Sequence, residues 1–292
     1  MTPHRSPARA RIARKAAAPP FPRFPEKHRE DPLVTPARFL QYLKERGRLP
    51  TTPMPESVVF LFGPRLREHV ETRYEGEPSK TFSRLHVPRS GGGRLGVHFV
   101  PGIGGPQLAT EVEELAELGV RRFVIVGLAG SIQPSLPHGR WVLCTKALRD
   151  EGTSHHYLRP SRWVRPSEPL SAALRESLRK SKLSFVEGPS WTTDAPYRET
   201  LKEVRRYRKE GILTVEMEAA TLFAVARYRS VESAALFLVS DVLEEKGWHP
   251  GFTEAHHQLQ QGVRLALGTL RRMARAPLPS HGEVAQNNIS RR

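Results

Sequence analysis

From Val58 onward the chain alternates short apolar runs of strand length with amphipathic helical stretches, and this alternation limits the folds open to it. Val58 to Phe62, Gly96 to Val100, Phe123 to Val126, Trp141 to Cys144 and Ala234 to Val239 read as strands of the buried type. Gln107 to Leu118 reads as a helix, with Leu108, Val112, Leu115 and Leu118 at helical spacing and Gly119 as its stop. Leu213 to Tyr228 and His257 to Met273 read the same way. In the second, Leu259, Val263, Ala266, Leu267 and Leu270 share a face. Buried strands alternating with helices predict an α/β protein whose sheet is largely parallel or mixed.

Charge decides what lies outside that core. The formal net charge is +16, yet residues 1–30 hold eight Lys/Arg against two acids and residues 271–292 hold five against one. Residues 51–270 carry 29 against 25, so most of the excess sits at the ends. A nucleic-acid partner is therefore not expected, although the Pro-, Ala- and Arg-rich start could also be read as a nucleic-acid arm or a targeting peptide. A solvated, disordered basic tail over 1–30 is the plainer reading. Residues 31–56 are expected to form a short helix and linker, with Thr35 as cap and Pro36 at the first helical position. One folded domain is expected over 57–275 and a disordered tail over 276–292. No apolar run approaches the roughly 20 residues of a membrane helix, so no membrane partner is expected. The single cysteine, Cys144, excludes a disulfide framework and agrees with a reducing, cytoplasmic location.

Five local patterns carry chemistry. Gly63-Pro64-Arg65-Leu66-Arg67 follows the first strand, where a glycine lets a backbone amide approach an anion and an arginine supplies paired donors. Pro101 to Pro106 is a second strand-to-helix turn, too short for a P-loop or a dinucleotide fingerprint. Gly127-Leu128-Ala129-Gly130-Ser131 is expected as a loop at the carboxyl end of a strand, where α/β proteins bind ligands. Glu216 and Glu218 flank Met217 at what reads as a helix start, a costly place for two acids unless they are used or paired. Ser240-Asp241 closes the last strand, with Asp241 either an acid or the cap of a following helix. The histidine pairs His155-His156 and His256-His257 lack metal-ligand spacing, so no metal is expected. Cys144, inside a strand, reads as a buried structural thiol.

Together these stretches resemble the nucleoside phosphorylase family: hexameric purine nucleoside phosphorylases, uridine phosphorylases and related nucleosidases. The resemblance runs over roughly 57–270 and is carried by Gly63 to Arg67, Gly102 to Pro106, Gly127 to Gln133, Asp150 to Ser154, Thr192 to Asp194, Val215 to Ala220 and Ser240-Asp241. It implies a central mixed sheet in a three-layer αβα arrangement within a single domain, and a homo-oligomer whose sites are completed by a neighbouring subunit. It implies cleavage of a nucleoside's N-glycosidic bond with phosphate as co-substrate, giving free base and ribose 1-phosphate, and no other cofactor. In that scheme Glu218 grips the ribose hydroxyls, with Met217 against the sugar and Glu216 beside it. Trp191 stacks on the base, Asp241 protonates purine N7, and Gly63 and Arg67 hold phosphate. Arg73 and Arg84 are candidates for the arginine that the family supplies from a partner.

Two departures shape the functional expectation. The family's arginine and Ser/Thr phosphate donors are replaced by Ile125 and Leu128, which leaves hydrolysis by a nucleosidase as an alternative to phosphorolysis. Asp194-Ala195-Pro196-Tyr197 is followed by Arg198-Glu199-Thr200 rather than by the Gln-x-Arg element that reads uracil, and Asp241 tilts the expectation toward purines. A nucleoside-binding protein without turnover is the third reading.

Overall fold

Period-two alternation along the strands sorts the apolar side chains into two cores. Val58, Phe60, Phe123 and Ile125 enter one; Val59, Leu61, Val124 and Val126 enter the other. The computed structural model describes residues 27–49, 53–62, 64–74, 76–78 and 84–274. Contacts divide the chain into Met1–Asp31, whose described part is a turn at 27–30 and Asp31, and Pro32–Arg292, which holds all the described helices and strands. The tail expected over 1–30 lies outside the described residues as far as residue 26, and the tail expected over 276–292 lies wholly outside them.

In chain order the elements are α1 (Pro36–Lys44), β1 (Ser57–Phe62), α2 (Pro64–Arg73), β2 (Gly76–Pro78), β3 (Leu85–Pro88), β4 (Leu95–Val100) and α3 (Gly105–Glu117). There follow β5 (Arg122–Ser131), β6 (Trp141–Asp150), α4 (Ser154–Tyr157), β7 (Trp163–Val164), α5 (Glu168–Lys180) and β8 (Phe185–Thr193). The chain continues with α6 (Leu201–Lys209), β9 (Thr214–Glu216), α7 (Ala219–Tyr228), β10 (Glu232–Glu244), β11 (Gly247–Pro250) and α8 (Phe252–Ala274). Thr35 caps α1 as its sequence predicts, accepting from the Arg38 N–H at 3.2 Å.

All the strands join one mixed sheet in the order β11-β10-β6-β8-β9-β5-β1-β4-β3-β2, with β7 on β6. β5 also pairs with β10, so β5, β10, β6, β8 and β9 close into a ring. Leu108, Val112 and Leu115 of α3 and the apolar run of α7 cover one face; Leu170, Leu174 and Leu178 of α5 and Leu259, Val263 and Leu270 of α8 cover the other. This is the expected mixed sheet between two helical layers. At the amino ends of the parallel strands, buried Arg122 is held by Glu56 at 3.1 Å and Glu232 at 2.8 Å, which ties β5 to the entrance of β1 and to β10. The carboxyl ends are left to carry the site.

Three local expectations change. β5 runs through Ser131, so Gly127 to Ser131 is strand and not loop. Gly130 is what lets it continue: a Cβ there would lie 2.9 Å from both Asp241 Oδ2 and Leu243 Cδ1. β10 runs on to Glu244 and leads into β11, so Asp241 stands inside a strand and caps no helix. The stretch from Leu213 to Tyr228 is a three-residue strand, a turn and then α7. Glu216 therefore ends β9, and Glu218 occupies the position just before α7.

Candidate active site

The turn between β9 and α7 is organised by Glu216. Its Oε2 accepts from the N–H groups of Glu218 at 2.8 Å and Ala219 at 2.7 Å, donors that the start of a helix leaves without partners. Its Oε1 accepts from Thr192 Oγ1 at 2.6 Å and Ser190 Oγ at 3.2 Å, both on β8. Thr192 Oγ1 in turn accepts from the Ala220 N–H at 3.0 Å. Burial pushes the Glu216 carboxyl up, and these hydrogen bonds oppose that push. Both Glu216 oxygens are thus engaged within the protein, as a clamp that sets the turn.

Glu218 differs from its neighbour. It is 7% exposed, and its side chain accepts from the Gly104 N–H at 2.6 Å, with the Met217 backbone as a further donor. Burial, reinforced by the Glu216 charge, pushes its carboxyl up to about 8. Gly104 has φ +93°, a conformation that side-chain-bearing residues rarely adopt, and a Cβ there would sit 3.8 Å from Met217 Cε. Half-buried Met217 therefore lies over the Pro101 to Pro106 turn. Gly105 permits the same approach: a Cβ at that position would collide with Thr221 Oγ1 of α7 and lie 2.9 Å from Thr153 Oγ1. Thr221 donates to Glu151 Oε2 at 3.0 Å, and Gly152 N–H donates to Asp194 Oδ2 at 2.7 Å. The segments around Gly104, Glu151, Thr192 and Glu218 thus meet at the start of α7.

Asp241 lies at the other side of this region. It pairs across the sheet with Gly130, which pairs with Val215, so the three residues form one row over β10, β5 and β9. Two strand spacings put Asp241 and Val215 about 10 Å apart. A register shift between Val239 and Asp241 sets the aim of the carboxylate. Asp241 Oδ1 accepts from Ser240 Oγ at 2.7 Å and Oδ2 from Trp248 Nε1 at 2.8 Å. Glu199 lies just ahead of α6; burial first, then the Asp241 and Glu203 charges, push its carboxyl up to about 7. Neither Glu199 nor Trp248 was singled out by composition or spacing. The sole hint is the Gly247–Pro250 hairpin, which brings an aromatic back over an acid.

Trp191 is not among the residues brought to the turn. Ser190 and Thr192 point to Glu216, so strand alternation turns Trp191 to the opposite face. There it is 1% exposed among Ile132, Leu148, Val204 and Val215, edge-on to Tyr207 at 4.8 Å, and donates to Asp150 Oδ2 at 2.9 Å. This corrects its expected role as the base-stacking residue: no ring face is left for a ligand. Trp191→Phe is expected to destabilise the fold by about 1–2 kcal/mol through the lost hydrogen bond and packing, measured by urea unfolding, with KM unchanged. A raised KM at unchanged stability would restore the stacking role.

At the phosphate end, Gly63 lies outside the described residues. Arg67, on α2, donates to Glu71 Oε1 at 2.8 Å and lies 5.8 Å from the Phe99 ring centroid, with its side chain 41% exposed. Arg73 is exposed at the end of α2. Arg84 lies 3.8 Å from Glu111, which also meets His98 at 3.0 Å. Ile125 is fully buried, in register between Phe60 of β1 and Ala235 of β10. Leu128 packs against the α5 and α8 side. Cys144 is fully buried and its thiol is pushed up by burial, which keeps it protonated. Among the described residues no group of three His, Cys, Asp or Glu side chains could hold a metal ion, and no helix is long and apolar enough to cross a membrane.

Residues 58–275 match the phosphorylase superfamily. The chain is similar to a guanosine phosphorylase of Halorubrum lacusprofundi, 36% identical over 141 residues, which are 47% of this chain and 57% of that protein. It is similar to a uridine phosphorylase of Treponema pallidum, 32% identical over 149 residues, 47% of this chain and 58% of that one. A purine nucleoside phosphorylase of Plasmodium vivax is 26% identical over 180 residues, covering 60% and 73%. The chain thus spans little more than half the length of the first two relatives. A uridine phosphorylase structure from Vibrio fischeri, complexed with 6-hydroxy-1-naphthoic acid, shares the fold with a TM-score of 0.63 at 24% identity, over 76% of this chain and 93% of that one.

Proposed function

The chain belongs to the phosphorylase superfamily, and from that premise we propose that it is an enzyme that cleaves the N-glycosidic bond of a purine nucleoside, with phosphate as the attacking group and ribose 1-phosphate as product. The observation that carries this reading is Glu218: a buried carboxyl beside a second carboxylate, held by backbone donors alone, at the convergence of four segments. Glycosidic cleavage passes through a cationic sugar, and a buried negative charge is most effective where positive charge develops only in the transition state. The ionised carboxylate accepts from ribose hydroxyls, and Met217 packs on the sugar. Asp241, two strands away, meets the base, and Arg67 meets phosphate. A homo-oligomer belongs to the same reading, with a partner arginine completing the phosphate site.

Hydrolysis is the second reading, and Ile125 favours it. Fully buried between Phe60 and Ala235, it offers no donor where the resemblance implies an arginine. A charged hydrogen bond contributes about 1.5–3 kcal/mol, so its loss weakens phosphate binding roughly tenfold or more. Guanosine, inosine, adenosine and uridine incubated with and without phosphate, with the sugar product identified, separate the two. The expected product is ribose 1-phosphate, with half-saturation on the order of millimolar phosphate. Free ribose at a rate that phosphate does not change would replace phosphorolysis by hydrolysis.

A further inference from the structure

Asp241 has one oxygen committed by the fold. Its Oδ2 lies over Gly130 of β5, 2.9 Å from where a Cβ would stand, and accepts from Trp248 Nε1 at 2.8 Å. An indole N–H donates and cannot accept. Oδ2 is therefore an acceptor whether or not the carboxyl holds a proton, and any proton on Asp241 sits on Oδ1. Ser240 Oγ is compatible with both states. It lies 2.7 Å from Oδ1 and 3.4 Å from the Ala129 carbonyl. Its hydroxyl can donate to Oδ1, or turn its hydrogen to the carbonyl and accept from Oδ1.

Packing does not explain where Trp248 is held. β11 is the edge strand beyond β10, and its four residues are exposed, Trp248 at 58%. Trp248 stands opposite Leu243, and Pro250 opposite Asp241, so Trp248 and Asp241 are diagonal neighbours on one face of the ladder. Two further bonds hold the strand in place. The Gly251 N–H donates to the Ser240 carbonyl at 2.7 Å, and His138 Nε2 lies 2.9 Å from the His249 carbonyl and donates to it. An exposed aromatic is thus fixed with its one polar group turned inward, onto a buried carboxyl.

Resting on the nucleoside-cleaving reading above, in which Asp241 meets the base, we propose that Trp248 is a positioning residue: its indole N–H holds Oδ2 so that Oδ1 delivers the proton to purine N7. The C1′–N9 electron pair leaves with the base, the Oδ1 proton moves to N7, and Asp241 is left ionised with Trp248 still donating to Oδ2. The proton released by the attacking phosphate, or by water in hydrolysis, returns through solvent to Oδ1.

The test is a double-mutant cycle on whichever of inosine, guanosine or adenosine wild type cleaves fastest. Trp248→Phe keeps an aromatic ring and removes the N–H. It is expected to lower kcat about tenfold, the worth of one hydrogen bond, with KM unchanged. Asp241→Ala is expected to lower kcat by about 100-fold or more. Adding Trp248→Phe to Asp241→Ala should cost nothing further, because the indole acts only through that carboxyl. A second tenfold loss in the Asp241→Ala background, an undiminished kcat with Trp248→Phe alone, or full activity with Asp241→Ala overturns the proposal while leaving nucleoside cleavage intact. Wild-type protein that frees no base from any of the three overturns the purine reading beneath it and this proposal together.

Discussion

Glu218→Gln is expected to reduce kcat/KM for nucleoside cleavage by about 100- to 1,000-fold, the range typical of removing one buried electrostatic stabiliser from a transition state. Glutamine keeps the shape and still accepts from the Gly104 N–H, so the turn is retained and the ionisable charge alone is lost. The same variant changes stability in a direction that the pKa fixes. Glu218 is raised in the folded protein from an ordinary value of 4.5 to about 8. A raised acid contributes its stabilisation fully below pH 4.5 and loses it as pH climbs through about 8. Wild type should therefore lose thermal stability between pH 5 and 9, and Glu218→Gln should flatten part of that slope. Part remains because Glu199 and Glu216 are raised as well. Tm measured at pH 5, 7 and 9 should show the variant gaining on wild type only at the higher values. Parallel curves would mean that Glu218 is already ionised at neutral pH. Nucleoside hydroxyls favour the ionised form, so KM should also fall as pH rises toward 8.

Glu216→Ala is expected to be the most damaging substitution for the fold, at about 3–5 kcal/mol. It leaves the hydroxyls of Thr192 and Ser190 and the N–H groups of Glu218 and Ala219 buried without their acceptor. Against a typical total of about 5–15 kcal/mol this brings the chain close to unfolding at ambient temperature. Glu216→Gln retains one acceptor oxygen but turns an NH₂ toward donors, so it should fall between alanine and wild type. Urea midpoints for the three proteins check the order. A midpoint for the alanine variant equal to that of wild type would show that the clamp is dispensable. The two acids of one short motif thus divide into a structural clamp and a chemical group. Sequence spacing alone treats them alike.

The layers were legible because they rest on periodicities long enough to register. The apolar spacing in α3 and α8 and the doubly buried character of β1, β4 and the first half of β5 survive unchanged in the structure. Short or exceptional pieces were not legible. β9 is three residues long, too brief for any alternation to show, so Glu216 read as helical. Gly127 and Gly130 read as a loop because glycine normally weakens a strand. Here Gly130 is required to clear the Asp241 and Leu243 side chains across the ladder. For Trp191 a signal does exist: in Ser190-Trp191-Thr192 the polar and aromatic side chains must leave on opposite faces, and Glu216 claims the polar one. The capping box of Thr200 and Glu203 at the start of α6 was equally readable. Glu199 and Trp248 had no such signal. The hydrogen bond from Trp248 to Asp241 arises only when β10 and β11 are folded together.

Base release from guanosine, inosine and uridine at high phosphate, followed chromatographically for wild type and Glu218→Gln side by side, tests the central claim most directly. The account predicts that wild type frees base, fastest from the purines, and that Glu218→Gln releases it at about a hundredth of that rate or less while keeping the wild-type circular dichroism. No base from any of the three with wild type, or an undiminished rate with Glu218→Gln, would contradict it.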